Sequence, residues 1–325
     1  MRLLRIVPDN TNIGFVRLRW IAFAFTILLT LGSIGLLATR GLNLGVDFVG
    51  GLMIEAGFTG PAPLDDLRET VNRLNVGETK LQQFGGPNNV AIRLPLPPGD
   101  ETASQAVVKR VQAAIKAQHP DVSFRRVDTV SGRVSGELIQ NGILAVLLAV
   151  LGIAVFTWAR FEWHFGVSTL VALFHDVTVT LGFFALTRLE FDLNVVAAIL
   201  TIVGYSLNDK IVIDDRIREN LRKYRQMEIG ALIDLSVNET LPRTVMTTLS
   251  MVLALGSLLL FGGEVIRGFT AAMLLGIIIG TYSSIYVSSS LLISLGIDRS
   301  TLAKRATPAL TPTSNAERVT RREKP

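Results

Sequence analysis

Six stretches of the chain stay apolar for about as long as a bilayer requires, and one long stretch between the first two does not. A spanning helix needs roughly 20 mostly apolar residues, because the hydrocarbon core is about 30 Å thick and a helix rises about 1.5 Å per residue. Trp20–Ala38, Ile139–Trp158, Phe165–Leu186, Leu193–Ile213, Val245–Phe261 and Phe269–Leu295 qualify. Lipid offers backbone groups no hydrogen-bond partners, so each is predicted to be a helix. Between them lie a short N-terminal segment (1–19), a polar insert (39–136), a basic helical loop (214–243) and a C-terminal tail (296–325).

Within the insert, Gly51–Phe58 is predicted as a strand and Leu64–Leu74 as an amphipathic helix opened by Pro63 and the pair Asp65–Asp66. Lys80–Phe84 and Val90–Leu94 read as strands joined by the turn Gly85-Gly86-Pro87-Asn88-Asn89. Thr102–Gln118 is a second helix with Ala106, Val107, Val111, Ala114 and Ile115 on one face, and Val122–Val130 a last strand. The order βαββαβ is that of a ferredoxin-like unit. The insert shows no nucleophile–base pair, metal cluster or phosphate loop, so contact or movement is expected of it rather than catalysis. The fold class expected is a polytopic α-helical membrane protein with a small α+β domain on one side.

Composition agrees. Over 325 residues, hydrophobic residues make up 49% and charged ones 18%, against about 25% charged in soluble domains. Cys is absent, which excludes disulfides, thiolate chemistry and Cys-ligated zinc. Basic residues set the orientation. Arg2, Arg5, Arg17 and Arg19 precede the first span; Arg216, Arg218, Arg222, Lys223, Arg225 and Arg243 lie between the fourth and fifth; seven more occupy 299–324. The opposite short loops hold only Arg188 and Arg267, and the insert nearly balances, 11 basic to 10 acidic over 40–136. Both termini are therefore expected in the cytoplasm and the insert outside. The first span follows a basic lead, as a signal peptide does, but about 19 apolar residues exceed the usual 7–15 and no A-x-A site follows. An uncleaved anchor is expected. The basic tail is read as a topology signal, disordered from about Thr301, and not as a nucleic-acid-binding arm.

Ionisable groups inside spans face the protein interior or a water-filled cavity. His175 and Asp176 sit in the third span, Asn208, Asp209 and Lys210 near the end of the fourth, and Arg243 opens the fifth. Helical spacing places Thr169, Asp176 and Thr180 on one face, Thr201, Tyr205, Asn208 and Asp209 on another, and Arg243, Thr247 and Ser250 on a third. Packing these stripes together would remove them from lipid. Asp209 or Asp176 is then available to pair with Arg243, and a change of packing around the pair would take up a proton on one side and release it on the other. A fixed structural ion pair is the alternative. Lys210 is read as free to snorkel, and His175 as a hydrogen-bonded packing residue or proton carrier. Other chemistry fits poorly. The chain has no H-E-x-x-H zinc site, no G-x-G-D context around either Asp for an aspartyl protease, and no Walker A motif. No metal or cofactor is expected. Gly276-x-x-x-Gly280 is a weak helix-packing signal.

Several stretches are familiar together. Gly45-Val46-Asp47-Phe48-Val49-Gly50-Gly51 follows the first span. Val203-Gly204-Tyr205-Ser206-Leu207-Asn208-Asp209-Lys210 leads into Asp214-Asp215-Arg216-Ile217-Arg218-Glu219-Asn220, and Leu241-Pro242-Arg243-Thr244 opens the fifth span. From about Leu42 to Leu295 the chain resembles the SecF family of bacterial protein-export subunits. The resemblance implies half of a twelve-helix unit of the RND transporter type, with SecD as the obligate other half. It implies association with the SecYEG channel, YajC and YidC in the inner membrane, and use of the proton-motive force to complete translocation of a polypeptide after SecA has inserted it. The family's proposed proton-pathway positions fall on Asp209 and Arg243; the reading of the spans above adds Asp176 and His175 as candidates, with Asn208, Tyr205 and Thr247 in support. Asp47, Gly50 and Gly51 mark the domain junction. The resemblance also implies that the fourth span continues past Ile213.

The family more often has a small or hydroxyl residue where this chain has Lys210, and Asp214 stands one turn further on, placed to pair with it. Ile217, Leu221 and Tyr224 recur at helical spacing among basic residues, consistent with an interfacial helix on the inner leaflet or with topology-setting charge alone. A proton-coupled translocation subunit that is not a hydrolase, a structural scaffold, and an intramembrane protease using Asp176 and Asp209 are the competing readings. The coupling ion, proton or sodium, stays open.

Overall fold

The apolar runs fold into long helices, and the polar insert into a four-stranded sheet with helices packed on it. The computed structural model describes residues 8, 11–83, 86–99, 101–263 and 266–297. Arg2 and Arg5, the turn residue Gly85 and the tail from 298 onward lie outside the described residues. A 3₁₀ turn, Val16–Leu18, leads into α1 (Arg19–Arg40). The short α2 (Val46–Val49) precedes β1 (Gly51–Gly57), α3 (Leu64–Arg73), β2 (Lys80–Gln83), β3 (Asn89–Leu94), α4 (Glu101–Gln118) and β4 (Ser123–Val130). Then follow α5 (Gly132–Arg160), α6 (Trp163–Thr187), α7 (Leu193–Lys223), α8 (Ile229–Phe261), α9 (Arg267–Tyr282), a π-helical turn (Ser283–Ser288) and α10 (Ser289–Ser294). Six of these helical runs are long and apolar enough to cross a membrane.

The sheet is antiparallel throughout with strand order β2-β3-β1-β4, which is the ferredoxin-like arrangement expected from the element order. Every residue of β1 is buried, because the strand is covered on both faces. Leu52, Ile54 and Ala56 pack under Leu67 and Val71 of α3 and Val111 and Ile115 of α4. Met53, on the other face, packs with Ala91 and with Val46 of α2, at the membrane-proximal side. The edge strand β4 alternates between exposed and half-buried positions.

Among the spans, α6, α7 and α9 form the inner layer, while α1, α5 and α8 turn large apolar side chains such as Leu28, Leu147, Leu151 and Phe261 outward. Small residues let the inner helices approach. A methyl on Gly276 would lie 2.4 Å from Ile202 Cδ1, and one on Gly280 would lie 3.0 Å from Ser206 Oγ. The spacing Gly276-x-x-x-Gly280, weak as a sequence signal, is thus the contact line of α9 on α7.

The segment 214–243 is helical, as expected, and the fourth span continues past Ile213. The segment consists of the end of α7 and the first half of α8, joined by a short connection at 224–228. Its charges other than buried Asp214 lie at exposed or half-buried positions, while Ile213, Ile217 and Leu221 of α7 interlock with Leu232, Ile233, Val237 and Leu241 of α8. The helical spacing of Ile217 and Leu221 therefore buries against protein, not in the lipid interface. Pro242 likewise does not open the fifth span but sits inside α8. A proline cannot bond the carbonyl four residues back. That carbonyl, of Asn238, accepts the Thr11 hydroxyl at 3.5 Å instead. The Asn238 side chain also bonds the backbone N–H and carbonyl of Ile13 at 3.0 and 2.9 Å, and Asp234 accepts Val16 N–H at 2.9 Å. The N-terminal strap is thus tied to α8 at the proline.

The junction between sheet and membrane rests on two glycines and a carboxylate. Gly50 (φ 74°) caps α2, and Gly51 (φ 122°) starts β1 so close to β3 that a Cβ would lie 2.7 Å from the Leu94 carbonyl oxygen. Asp47 Oδ2 accepts the Leu193 N–H at 3.0 Å, beside the N-cap Asp192, whose Oδ1 accepts Val195 N–H at 3.0 Å. Two carboxylates thus satisfy orphan donors at the positive end of α7. Across the junction, Arg188 donates to the Arg40 and Gly41 carbonyls at 3.0 and 2.9 Å, closing the end of α1, and Arg93 pairs with Glu190 at 3.1 Å. These groups line a cavity of about 180 Å³ together with Glu55, Arg126 and Asp128.

Burial lifts Glu55, Glu190 and Asp192 above their ordinary carboxyl values, and Arg126 or Arg93 pulls back only in part.

Gly51→Leu is expected to cost about 1–3 kcal/mol from the forced positive φ, plus the clash with Leu94. Asp47→Ala is expected to cost about 1 kcal/mol at the α7 terminus. Hydrogen exchange of β1 and of the first turn of α7, respectively, checks each. Because the three raised carboxyls bind protons more tightly in the folded junction than unfolded, stability there is greatest below the ordinary values of 3.8 and 4.5 and falls as pH rises through the folded values. Exchange rates corrected for intrinsic pH dependence should show the junction opening more easily toward neutral pH.

Candidate functional site

The inner layer of α6, α7 and the α9 continuation encloses charge. Asp176 of α6 is fully buried, and Lys210 of α7 is 1% exposed. Lys210 Nζ lies 3.1 Å from Asp176 Oδ2. The same oxygen accepts Ser206 Oγ at 2.6 Å and Ser283 Oγ at 2.9 Å. Lys210 also donates to Ser206 Oγ and, at 3.3 Å, to Ser283 Oγ. Each hydroxyl therefore accepts from the ammonium and donates to the carboxylate. Asp176 Oδ1 is buried without a partner.

Local sequence explains the convergence. Ser206 and Lys210 are one turn apart on α7 and share its inward face. Ser283 is the first residue of the π-helical turn, whose serines 283, 284 and 288 are all buried, as are Ser289 and Ser290 at the start of α10. Such turns interrupt α-helices mostly at functional sites. Asp214, one turn beyond Lys210, is 2% exposed and accepts the Thr169 hydroxyl. His175 Nδ1 lies 2.8 Å from the Thr30 hydroxyl of α1, and its Nε2 is buried without a partner. Thr26, one turn before Thr30, lies 3.2 Å from the Tyr282 hydroxyl, so a polar thread joins α1 to α9.

Of the expected stripes, that of α6 is buried as anticipated at Thr169, Asp176 and Thr180. That of α7 is not one face. Asp209 is 4% exposed, with Oδ2 unpaired, whereas Thr201 and Asn208 point outward and Tyr205 is half-buried. Arg243, Thr247 and Ser250 of α8 are exposed as well. Among the described residues neither Asp209 nor Asp176 makes an ion pair with Arg243, which acts on Asp209 only as a longer-range charge. Lys210 does not snorkel; it is the cation of the buried pair, and its bond goes to Asp176 rather than to Asp214. Asp176 and Asp209 share no hydrogen bond, as a proteolytic dyad requires. Sequence reasoning missed Ser206 and Ser283; the four-residue step from Ser206 to Lys210 was the available signal for the first.

A polytopic chain with charge sealed between its spans and a compact domain on one side is of the class of membrane transport subunits. A family profile described as "Protein export membrane protein SecD/SecF, C-terminal" matches residues 110–298, and one described as "SecD/SecF GG Motif" matches residues 35–62, which include Gly50 and Gly51. Protein translocase subunit SecF of Cereibacter sphaeroides is 42% identical over 302 residues, covering 91% of this chain and 93% of the relative. That of Rickettsia akari is 41% identical over 290 residues, covering 89% and 94%. The crystal structure of SecDF, a translocon-associated membrane protein from Thermus thermophilus, superposes with a TM-score of 0.81 at 34% identity over 89% of this chain. A structure of SecDF in a super-membrane-facing form gives 0.65 at 32% identity over 92%. This chain spans 39% of the first of those chains and 40% of the second. The chain belongs to the SecF family of protein translocase subunits.

Removing either member of the buried pair leaves an uncompensated charge, a change worth about 3–5 kcal/mol. Asp176→Ala and Lys210→Met should each lower the unfolding midpoint in detergent, and the double variant should lose clearly less than the sum of the two. A strictly additive cycle would remove the pair from the account.

Proposed function

We propose that this chain works with a SecD subunit as one half of an ion-driven export unit in the bacterial inner membrane. In this reading the unit uses the proton-motive force to complete the passage of polypeptides that SecA has inserted through SecYEG, in association with YajC and YidC. Both termini lie in the cytoplasm and the ferredoxin-like domain outside. The observation that carries the reading is the exposed polar stripe of α7 and α8. Asn208, Arg243, Thr247 and Ser250 stand on the outer surface of spanning helices, with buried Asp209 just behind them. A guanidinium and an amide are costly against lipid, so cover by another membrane subunit fits this face. The SecDF chains, of which this chain matches about two fifths, supply such a half.

The chemistry follows from the open geometry. Asp209 and Arg243 are apart here, with the acid buried and the base at the surface. A charged Asp209 draws Arg243 inward, and a protonated one releases it, since a buried cation without its anion costs several kcal/mol. Proton binding thereby selects between two packings of α7 against α8. Asp47 ties the start of α7 to the junction of the external domain, so a shift of α7 is passed to the side on which the polypeptide emerges. Asp176 and Lys210, paired through Asp176 Oδ2, favour a structural role for themselves, as the scaffold reading would have for the whole chain.

Export into inverted vesicles, with and without an uncoupler, separates the two. Asp209→Asn keeps the shape of the protonated acid and should retain partner binding while losing most of the uncoupler-sensitive export. Arg243→Lys should also be damaging, because lysine lacks the fork geometry. An Asn variant that responds to the uncoupler as the wild type does would make Asp209 structural and favour the scaffold.

A further inference from the structure

The surroundings of the Lys210 ammonium are those of a bound metal cation. Its hydrogen-bond partners are oxygens alone: one carboxylate oxygen of Asp176 at 3.1 Å, the Ser283 hydroxyl at 3.3 Å and the Ser206 hydroxyl. They come from α6, α7 and the π-helical turn, so three separate elements converge on one point. Asp176 Oδ1 is buried and unpartnered beside it, an acceptor that the tethered ammonium does not use. Carboxylate and hydroxyl oxygens with no nitrogen or sulfur are the donor set of hard cations. Gly280 lets Ser206 approach α9, and both Ser283 and Ser284 bond back to the Gly280 carbonyl, at 3.1 and 2.7 Å. The hydroxyl cage is therefore built by the helix crossing and not by the lysine.

We propose that Lys210 is a tethered cation, seated where a monovalent alkali cation would otherwise bind, and that it closes this subunit to such ions. The positive charge the cage requires is supplied covalently, and it can leave only as a proton. Lys210 is thus a specificity-determining residue: with it, the membrane-embedded cage exchanges no sodium or potassium. That the excluded ion would have been a coupling ion rests on the proton-driven reading given above; that the cage accepts a cation does not.

The test uses the full-length chain purified in mild detergent with whatever subunit accompanies it. Thermal unfolding is compared in sodium, potassium and choline chloride at equal ionic strength. The wild type should unfold at the same temperature in all three. Lys210→Ser removes the ammonium and its stem but leaves the oxygens. It should be destabilised in choline and recover in one of the alkali salts, saturably and by on the order of a few degrees, as ligand binding to the folded state requires. Lys210→Met, whose side chain fills the space, and the pair Asp176→Asn with Lys210→Ser, which lacks the carboxylate, should show no alkali-specific recovery. The choice between sodium and potassium identifies the ion the cage fits. An indifferent Lys210→Ser would overturn the proposal, and so would alkali-specific stabilisation of the wild type. If Lys210→Ser does not survive in choline, its recovery from membranes solubilised in alkali or choline chloride decides the matter in the same way. Uncoupler sensitivity of wild-type export is measured alongside. Its absence would sink the proton-driven reading while leaving the salt response of Lys210→Ser to decide the site.

Discussion

Three oxygens and one ammonium, buried where the inner helices cross, hold the inner layer together. Asp176 and Lys210 cannot be separated without leaving a charge in a dry site, and their pairing requires Ser206 and Ser283 to lie within hydrogen-bond reach. That demands the close crossing of α7 and α9, which Gly276 and Gly280 permit. It also fixes the rotation of α7, so that Asp209, the residue before Lys210, is buried while Asn208 faces out. The exposed polar stripe and the open distance to Arg243 follow from that rotation.

The same helix links the two sides of the molecule. At one end α7 is capped by Asp192 and by Asp47, which belongs to the segment leading into β1. At the other it runs on past the apolar stretch and locks onto α8 through Ile213, Ile217 and Leu221. A rigid rod anchored in this way moves as a unit. In the function proposed above, this rod would carry a charge change at Asp209 to the sheet junction, where Gly50 and Gly51 take positive φ and Gly51 has no room for a side chain.

Much of this was legible in the sequence, because the strongest signals were local. Six apolar runs, and strands and helices of the insert within a residue or two, follow from periodicity, and the fold class followed from their order. What the sequence concealed was rotation and partnership. The polar stripe on α7 was read as Thr201, Tyr205, Asn208 and Asp209, since spacing defines a face but not which face is buried; the wall of Ile199, Ile202 and Val203 decided it. Lys210 was read as snorkelling because long basic side chains near span ends usually do, and nothing local revealed that Asp176 of another helix waited for it. Helical spacing in 214–243 was legible, but not that its apolar face packs on α8 instead of the lipid interface. The fifth span was read as opening at Leu241-Pro242-Arg243-Thr244, whereas α8 runs through Pro242 and the freed Asn238 carbonyl meets Thr11.

The central claim is that Asp209, buried and unpaired behind an exposed arginine, is the group whose proton moves. Infrared difference spectroscopy of the reconstituted subunit with its partner, recorded across a step in pH, reads that proton directly. The account predicts a carboxylic-acid carbonyl band that appears on acidification in the wild type and is missing in Asp209→Asn. A band that persists unchanged in the Asn variant would assign the proton to another carboxyl and contradict the account.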